Sequence, residues 1–344
     1  MSRVVVALGG NALIRRGQPG STDVQRRNLL GAARALVELE RLGHELVLTH
    51  GNGPQVGFLS IEADAARESV PVPPLDVLVA ESEGQIGYLL AQAIAAQLAI
   101  EGRARPIAVV LSQTIVDPDD PAFASPSKPV GPVYEAGRAT ELAAEHGWTI
   151  APDGAGWRRV VASPRPLEIV EAPAITILAD AGVLVIASGG GGIPVARRPG
   201  GALVGLEAVV DKDLAAVVLA EAVNADALLL LTDVSAAHLG WGAAEPLPIR
   251  RLTLAGATAG VEDGTFAAGS MGPKVTAAAD FVRRTGGFAA IGALEDAVAV
   301  LDGRVGTRIV DRGRNAHEDA TIGTGRAAAA SGSMEGAHEL TSIG

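Results

Sequence analysis

The chain has 344 residues, no cysteine and a formal net charge of −11. Disulfides and thiolate metal sites are therefore excluded, nothing suggests export, and a cytoplasmic location is expected. The acidic balance weighs against non-specific binding to nucleic acid or to an anionic membrane, but leaves room for a small anion in a local pocket.

No apolar run approaches the ~18 residues that a membrane helix needs. Aromatic residues make up 3% of the chain, so the core must be built from Val, Leu, Ile and Ala. The opening stretch MSRVVVALGGNAL lacks a small-residue cleavage site after its apolar run. It reads as a first strand over residues 4–8, not as a leader. Further buried strands are predicted over 45–49, 107–111, 183–187, 227–231 and 288–291, each a short apolar run that ends in glycine or a small polar residue. Helical patterns lie between them, at about 22–42, 54–68, 82–100, 169–181, 213–223, 274–285 and 294–302. Strand–helix alternation implies an α/β fold with a mainly parallel sheet covered on both faces. Ligands bind such sheets at the carboxyl edge of the strands.

Residues 117–168 break this rhythm. They are rich in Pro, Asp, Gly and Arg, and a stretch this long without periodicity is functional or disordered. Its tryptophans, tyrosine and close-set prolines favour an ordered excursion. From about Asp311 the composition turns to Gly, Ala, Ser and scattered charge, which reads as a flexible tail over 311–344.

Positive charge is written almost entirely as arginine: 25 residues against three lysines, Lys128, Lys212 and Lys274. A composition rich in Ala, Gly and Arg accounts for part of that scarcity, but not for where the three remain. Lys212 sits at a predicted helix start, and Lys274 follows Gly272-Pro273, a helix-opening pair. The macrodipole disfavours a cation there by up to about 1 kcal/mol. A bound phosphate reverses that preference, because it attracts both the backbone N–H groups and the ammonium. Lysine is a compact charge on a flexible stem, suited to a phosphoryl group in flight. The bland alternative is three ordinary surface lysines. Asp211 and Asp213 flank Lys212. Either could pin ammonium groups or cap the helix, with Asp213 the favoured organiser.

Gly9, Gly10 and Asn11 follow the first strand, Gly51, Asn52 and Gly53 the second, and Gly189–Gly192 a later one. Three such turns on one sheet edge predict an anion-binding rim. GSMGPKV lacks P-loop spacing, and GGNALIRRG does not match GxGxxG. The six histidines show no metal-ligand spacing, and His50 reads as structural. There is no GxSxG elbow. Thr232-Asp233 ends an apolar strand and reads equally as a nucleotide contact or a helix cap.

Together, VVALGGNAL, THGNGPQVG, PLDVLVAESEGQIGYLL, SKPVGPVY, RRVVASPRP, VIASGGGGIPV, DKDLA, LTDV and GSMGPKV resemble the carbamate kinases, a branch of the amino acid kinase superfamily. The resemblance runs from about Arg3 to Val310. It implies an open αβα sandwich with an eight-stranded, mainly parallel sheet and a small protruding subdomain at about 117–168. It implies a phosphoryl-acceptor lobe (about 1–220), a nucleotide lobe (about 221–310) and a homodimer. The implied reaction is ATP plus carbamate giving ADP plus carbamoyl phosphate, with Mg2+ carried by the nucleotide and no protein metal site. In many bacteria it runs toward ATP at the end of arginine or agmatine fermentation. By this resemblance Gly9, Gly10, Asn11, Gly51 and Asn52 hold carbamate and the moving phosphoryl group. Lys128 reaches in from the insertion, Lys212 and Lys274 grip the phosphates, and Asp213 orients them. Thr232, Asp233, Val234, Gly269 and Met271 border the nucleotide. Ser235 and His238 stand where the family commonly has Asp and Tyr, and Ala155 and Trp157 where Lys and Tyr are usual. Rival readings are an acetylglutamate, aspartate or uridylate kinase on the same fold, or a nucleotide sensor without catalysis.

Overall fold

The computed structural model describes residues 2–10, 13–14, 17–18, 20–241, 245–266 and 271–311. The first half contains β1 (Arg3–Leu8), α1 (Thr22–Arg41), β2 (Glu45–His50), α2 (Gly53–Ala65), α3 (Leu75–Ile100), β3 (Ile107–Val110), β4 (Gln113–Val116), β5 (Lys128–Tyr134), α4 (Ala136–His146), β6 (Thr149–Asp153), β7 (Gly156–Val161) and β8 (Pro166–Ile169). Then follow α5 (Ala172–Asp180), β9 (Leu184–Ala187), β10 (Ile193–Arg197), β11 (Leu203–Gly205), α6 (Lys212–Ala222), β12 (Ala227–Thr232), β13 (His238–Leu239), β14 (Leu247–Pro248), β15 (Arg251–Thr253), α7 (Leu254–Glu262), α8 (Met271–Thr285), β16 (Phe288–Ala293), α9 (Ala297–Leu301) and β17 (Thr307–Val310). No helix among the described residues is long and apolar enough to cross a membrane.

Eight strands form the central sheet in the order β15-β17-β16-β12-β1-β2-β9-β3. Neighbours from β16 to β3 run parallel, and β17 turns antiparallel to β16. Successive side chains of a strand point to opposite faces, and both faces are buried. Val5, Ala7, Val47, Val185, Leu228 and Leu230 pack on one side against α5, α6 and α8. Val4, Val6, Leu8, Leu46, Leu48 and Leu229 pack on the other against α1, α3 and α9. This is an αβα sandwich. Its core is aliphatic, as the composition requires, with Phe281 the largest fully buried side chain among the described residues.

The unpatterned stretch is built. A three-stranded sheet, β5-β7-β6, with α4 beside it, stands apart from the main sheet, while β8 joins β11, β10 and β4 in a second small sheet. Periodicity misses these strands because Pro129, Pro132 and Pro152 interrupt them and most of their residues are half-exposed. Helix α3 begins seven residues before the expected position, directly after Pro73-Pro74, because Leu75, Leu78 and Val79 extend its buried face. The expected 169–181 helix starts at Ala172, after β8. Helix α8 opens at Met271, so Pro273 is its third residue, not its first.

Candidate active site

Strands β12, β1, β2 and β9 lie side by side. Leu8 pairs with both Leu231 and His50, so Gly9, Gly51 and Thr232 stand at one level on the carboxyl edge of the sheet. The Gly9 N–H donates to Leu231 O at 2.8 Å and the Gly51 N–H to Leu8 O at 3.1 Å. These two amides are thus engaged with strand carbonyls, and the two glycines contribute the absence of a side chain. A methyl group added at Gly51 would lie 3.3 Å from the Lys212 stem and 3.4 Å from Gly10 N. The third glycine turn is also not the amide rim its composition suggests. Gly189 N–H donates to Glu83, Gly191 N–H to Ser188 O and Gly192 N–H to Gly189 O. At Gly190, φ is +69° and an added methyl would strike the Asn52 side chain at 2.1 Å, so only glycine fits.

Helix α6 starts against this edge. Asp211 is its N-cap, with Oδ1 accepting the Asp213 N–H at 2.9 Å. The other carboxylate oxygen, Oδ2, accepts from Lys128 Nζ at 2.5 Å. Lys212 is the first helical residue, and its Nζ donates to Asp213 Oδ1 at 2.5 Å. Lys274, in the first turn of α8, donates to Asp213 Oδ2 at 2.9 Å. The three lysines therefore converge on the Asp211–Lys212–Asp213 triplet. Asp213 pins two of them and Asp211 the third, while Asp211 also caps. Both readings left open for Asp211 hold at once.

Burial alone would push the Asp213 carboxyl up, but Lys212 and Lys274 outweigh it and hold it well below the carboxylate range. Burial likewise opposes Lys128 at Asp211, and the net shift is again downward. Lys212 lies below its ordinary value, through burial and then through repulsion from Lys274, against the pull of Asp213. Lys274 is raised: Asp213 overcomes its burial, and Asp233 adds to the field. An arriving phosphate would relieve the cost at Lys212.

Asn52 is buried, and its Nδ2 donates to Ser82 Oγ at 2.9 Å instead of capping α2. With no side-chain cap, the positive end of the α2 dipole opens on this edge. Beneath lie His50 and Glu83. His50 Nδ1–H donates to Gly51 O at 3.1 Å, its Nε2 has no partner, and burial lowers its pKa to about 4. It is a structural histidine, as expected. Glu83 is 1% exposed and accepts from Gly189 N–H at 2.9 Å and Ser112 N–H at 3.2 Å. Burial pushes its carboxyl up to about 8.

Thr232 Oγ1 donates to Asp233 Oδ1 at 3.0 Å, and no helix begins there, so the helix-cap alternative fails. Val234 follows in the bend, and Met271 opens α8. Asn11 and Gly269 lie outside the described residues, as does the expected tail beyond Asp311.

Residues 2–291 match the model of the Amino acid kinase family. The chain is 47% identical to a carbamate kinase of Thermococcus kodakarensis over 90% of this chain and 99% of that protein. It is equally identical, with the same coverage, to one of Escherichia coli K12. A carbamate kinase of Giardia lamblia solved with citric acid superimposes with a TM-score of 0.86 at 43% identity, covering 90% of this chain and 98% of that one. The same enzyme solved with AMP-PNP gives a TM-score of 0.83.

The chain belongs to the amino acid kinase family. Within that family it is a kinase of the carbamate kinase branch. Its amino acid kinase fold explains why the lysines, far apart in sequence, share one edge of the sheet. Sequence reasoning missed Ser82 and Glu83 as supports of that edge. A signal was present: Glu83 falls on the buried stripe Val79, Ile86, Leu90, and an acid on such a stripe requires partners.

Proposed function

We propose that this kinase catalyses reversible phosphoryl transfer between ATP and carbamate, giving ADP and carbamoyl phosphate. In the cytoplasm it runs toward ATP, at the end of arginine or agmatine catabolism. One observation carries the reading: Lys128, Lys212 and Lys274 converge on Asp211 and Asp213 beside the Gly9-Gly10 and Gly51 turns.

Two anions must be brought together, and the centre between them must be neutralised. Carbamate already carries an anionic oxygen, so transfer needs no general base, in keeping with a neutral, buried His50. The α2 N-terminus and the Gly10 turn receive carbamate. Asn11 and Asn52 border it, the latter through the backbone it fixes. Lys128 closes over it from the protruding subdomain, while Lys212 and Lys274 follow the phosphoryl group. Thr232, Asp233, Val234, Gly269 and Met271 border the nucleotide. The acceptor lobe is residues 1–220 and the nucleotide lobe 221–310.

Asp211 and Asp213 are engaged by lysines, and among the described residues no group of three or more His, Asp or Glu side chains is arranged to hold a metal ion. That donor set fits a Mg2+ held mainly by nucleotide phosphates, with Asp233 as its protein neighbour. When bound, Mg2+ neutralises charge on the β- and γ-phosphates.

The active unit is a homodimer formed through the β3 edge, where Tyr88 and Leu111 are 53% and 50% exposed. The decisive experiment is ATP formation from ADP and carbamoyl phosphate by the purified protein, beside an ADP-release panel of carbamate, acetylglutamate, aspartate and UMP. ATP formation and a response to carbamate alone are expected. Turnover with another acceptor, or ATP binding without turnover, overturns the reading.

A further inference from the structure

A cavity of about 640 Å³ lies at the root of the protruding subdomain. None of the three lysines or the glycine turns lines it. Ser60, on its wall, is eight residues along α2 from Asn52, about 12 Å at the helical rise. The cavity thus adjoins the phosphoryl site without including its lysines, and its volume is that of a small-molecule pocket.

Its most telling residue is Arg159 on β7. The guanidinium stacks 4.9 Å from the Trp148 ring and Nη1 donates to Ser60 Oγ at 2.6 Å. Among the described residues it has no carboxylate within ion-pair distance, whereas its neighbour Arg158 pairs with Asp153 at 3.0 Å. Burial depresses its pKa, against the longer-range pull of Asp64 and Glu207. Two acids share the walls but are turned to other tasks. Glu207 Oε1 accepts the Leu75 N–H at 3.0 Å, and Asp64 lies 3.7 Å from His146 Nδ1. Arg67 Nη1 lies 2.8 Å from that same Nδ1. The walls thus carry two guanidinium groups and two carboxylates, over an apolar lining that includes Leu78 and Phe123.

Charge-balanced walls give a bare anion little net attraction. A small zwitterion matches them at both ends, and Arg favours a planar carboxylate. We propose that this cavity binds a free amino acid, its carboxylate against Arg159 and its ammonium group toward Asp64 and Glu207.

The site is wired to the lysine cluster. Arg159 pairs with Val130 across the strands, and Val161 pairs with Lys128. Ser127 N–H donates to Val161 O at 3.2 Å, and Val209 N–H to Ala162 O at 2.9 Å, two residues before Asp211. Val161 and Ala162 line the cavity. An occupant therefore braces both segments that carry the Lys128–Asp211 contact, and turnover responds to it.

The test is calorimetry and thermal shift on the full chain with each free amino acid at about 10 mM, enough to reveal Kd values near 1 mM. At least one amino acid should bind. Its des-amino acid and its carboxamide should each bind about tenfold or more weakly, as expected for loss of a charged hydrogen-bond pair. Arg159→Gln should abolish binding and Arg159→Lys weaken it, and saturating carbamoyl phosphate should not displace the ligand. Absence of any binder, equal binding of the des-amino acid, or displacement by carbamoyl phosphate would overturn the proposal. The ligand comparisons use the unaltered chain, so they decide even if the Arg159 variants misfold. Binding is read without turnover, so failure here and failure of the carbamate reading are distinguishable.

Discussion

Lys128 and Asp211 stand 83 positions apart in the chain and meet at 2.5 Å, Nζ to Oδ2. The contact ties the first residue of β5 to the cap of α6, so one carboxylate both starts a helix and seats an ammonium group. The two tasks separate by mutation. Asp211→Asn keeps a good N-cap and loses the charge, whereas Asp211→Ala loses both. Turnover should fall at least about tenfold in each, the scale of a lost charge-assisted contact. Unfolding stability should drop by about 1 kcal/mol more in the Ala variant. Urea midpoints that coincide for the two variants would show that the cap contributes nothing.

Each lysine faces the same edge, and each should matter to turnover. Lys128→Ala, Lys212→Ala and Lys274→Ala should each lower kcat by roughly 10²–10³, the usual cost of removing one preorganised donor. Arginine at any of the three keeps charge but not shape, and should also be damaging. Coupled measurement of ATP formation checks this. Near-normal kcat in all three alanine variants would refute the assignment.

Asp213 carries two ammonium partners, and its carboxyl is held well below the ordinary value. A depressed carboxylate stabilises the fold above its unfolded pKa of about 3.9, and that contribution fades as pH falls below it. Asp213→Asn should therefore cost about 3–5 kcal/mol near neutrality, because two buried cations lose their anion. The gap from the parent should close in acid. Thermal melts of both proteins from neutrality down to acid read this directly, and a gap independent of pH would exclude the ion-pair origin.

Most of the expected strands were legible because they are buried on both faces and read as near-continuous apolar runs, as in residues 227–231, while β3 keeps its apolar run although it is half-exposed at the sheet edge. β15 and β17 were not, since both are short and Arg251 and Arg308 interrupt them, β15 at the partly exposed margin of the sheet and β17 beside it. In the site, an odd pattern of lysine use pointed to Lys128, Lys212 and Lys274. No local pattern could pair Lys128 with Asp211, because that contact is made by topology alone. Glycine was the misleading signal. The residue type marks close approach, but at Gly9, Gly51 and Gly189 the amides serve the sheet and Glu83, not a ligand.

The β3 margin offers a second kind of test. An exposed sheet edge with apolar neighbours is a template for pairing with another chain. Val109 on β3 packs beside Gly87 of α3, and Tyr88 and Leu111 project next to them. If the proposed homodimer forms through this edge, Tyr88→Glu with Leu111→Glu should convert it to a monomer in light scattering. An unchanged mass, with the fold intact, would place the interface elsewhere.

Glu83 supplies the opposite pH signature to Asp213. Its carboxyl is raised to about 8, chiefly by burial, despite two N–H donors. A raised carboxyl stabilises the fold fully below the unfolded pKa, and that contribution is lost as pH climbs through the folded value. The parent protein should therefore lose stability progressively between about pH 4.5 and pH 8. Glu83→Gln removes the titration and should flatten that slope. It should also lower turnover, because Gly189 and Ser112 donate to different oxygens and an amide puts an NH2 donor where one of them stood, so the loop against Asn52 then shifts. Melting temperatures across this range, with kcat and KM at each pH, test both halves. A parent slope that persists in Glu83→Gln would mean that another group titrates and that Glu83 enters the fold as an ion.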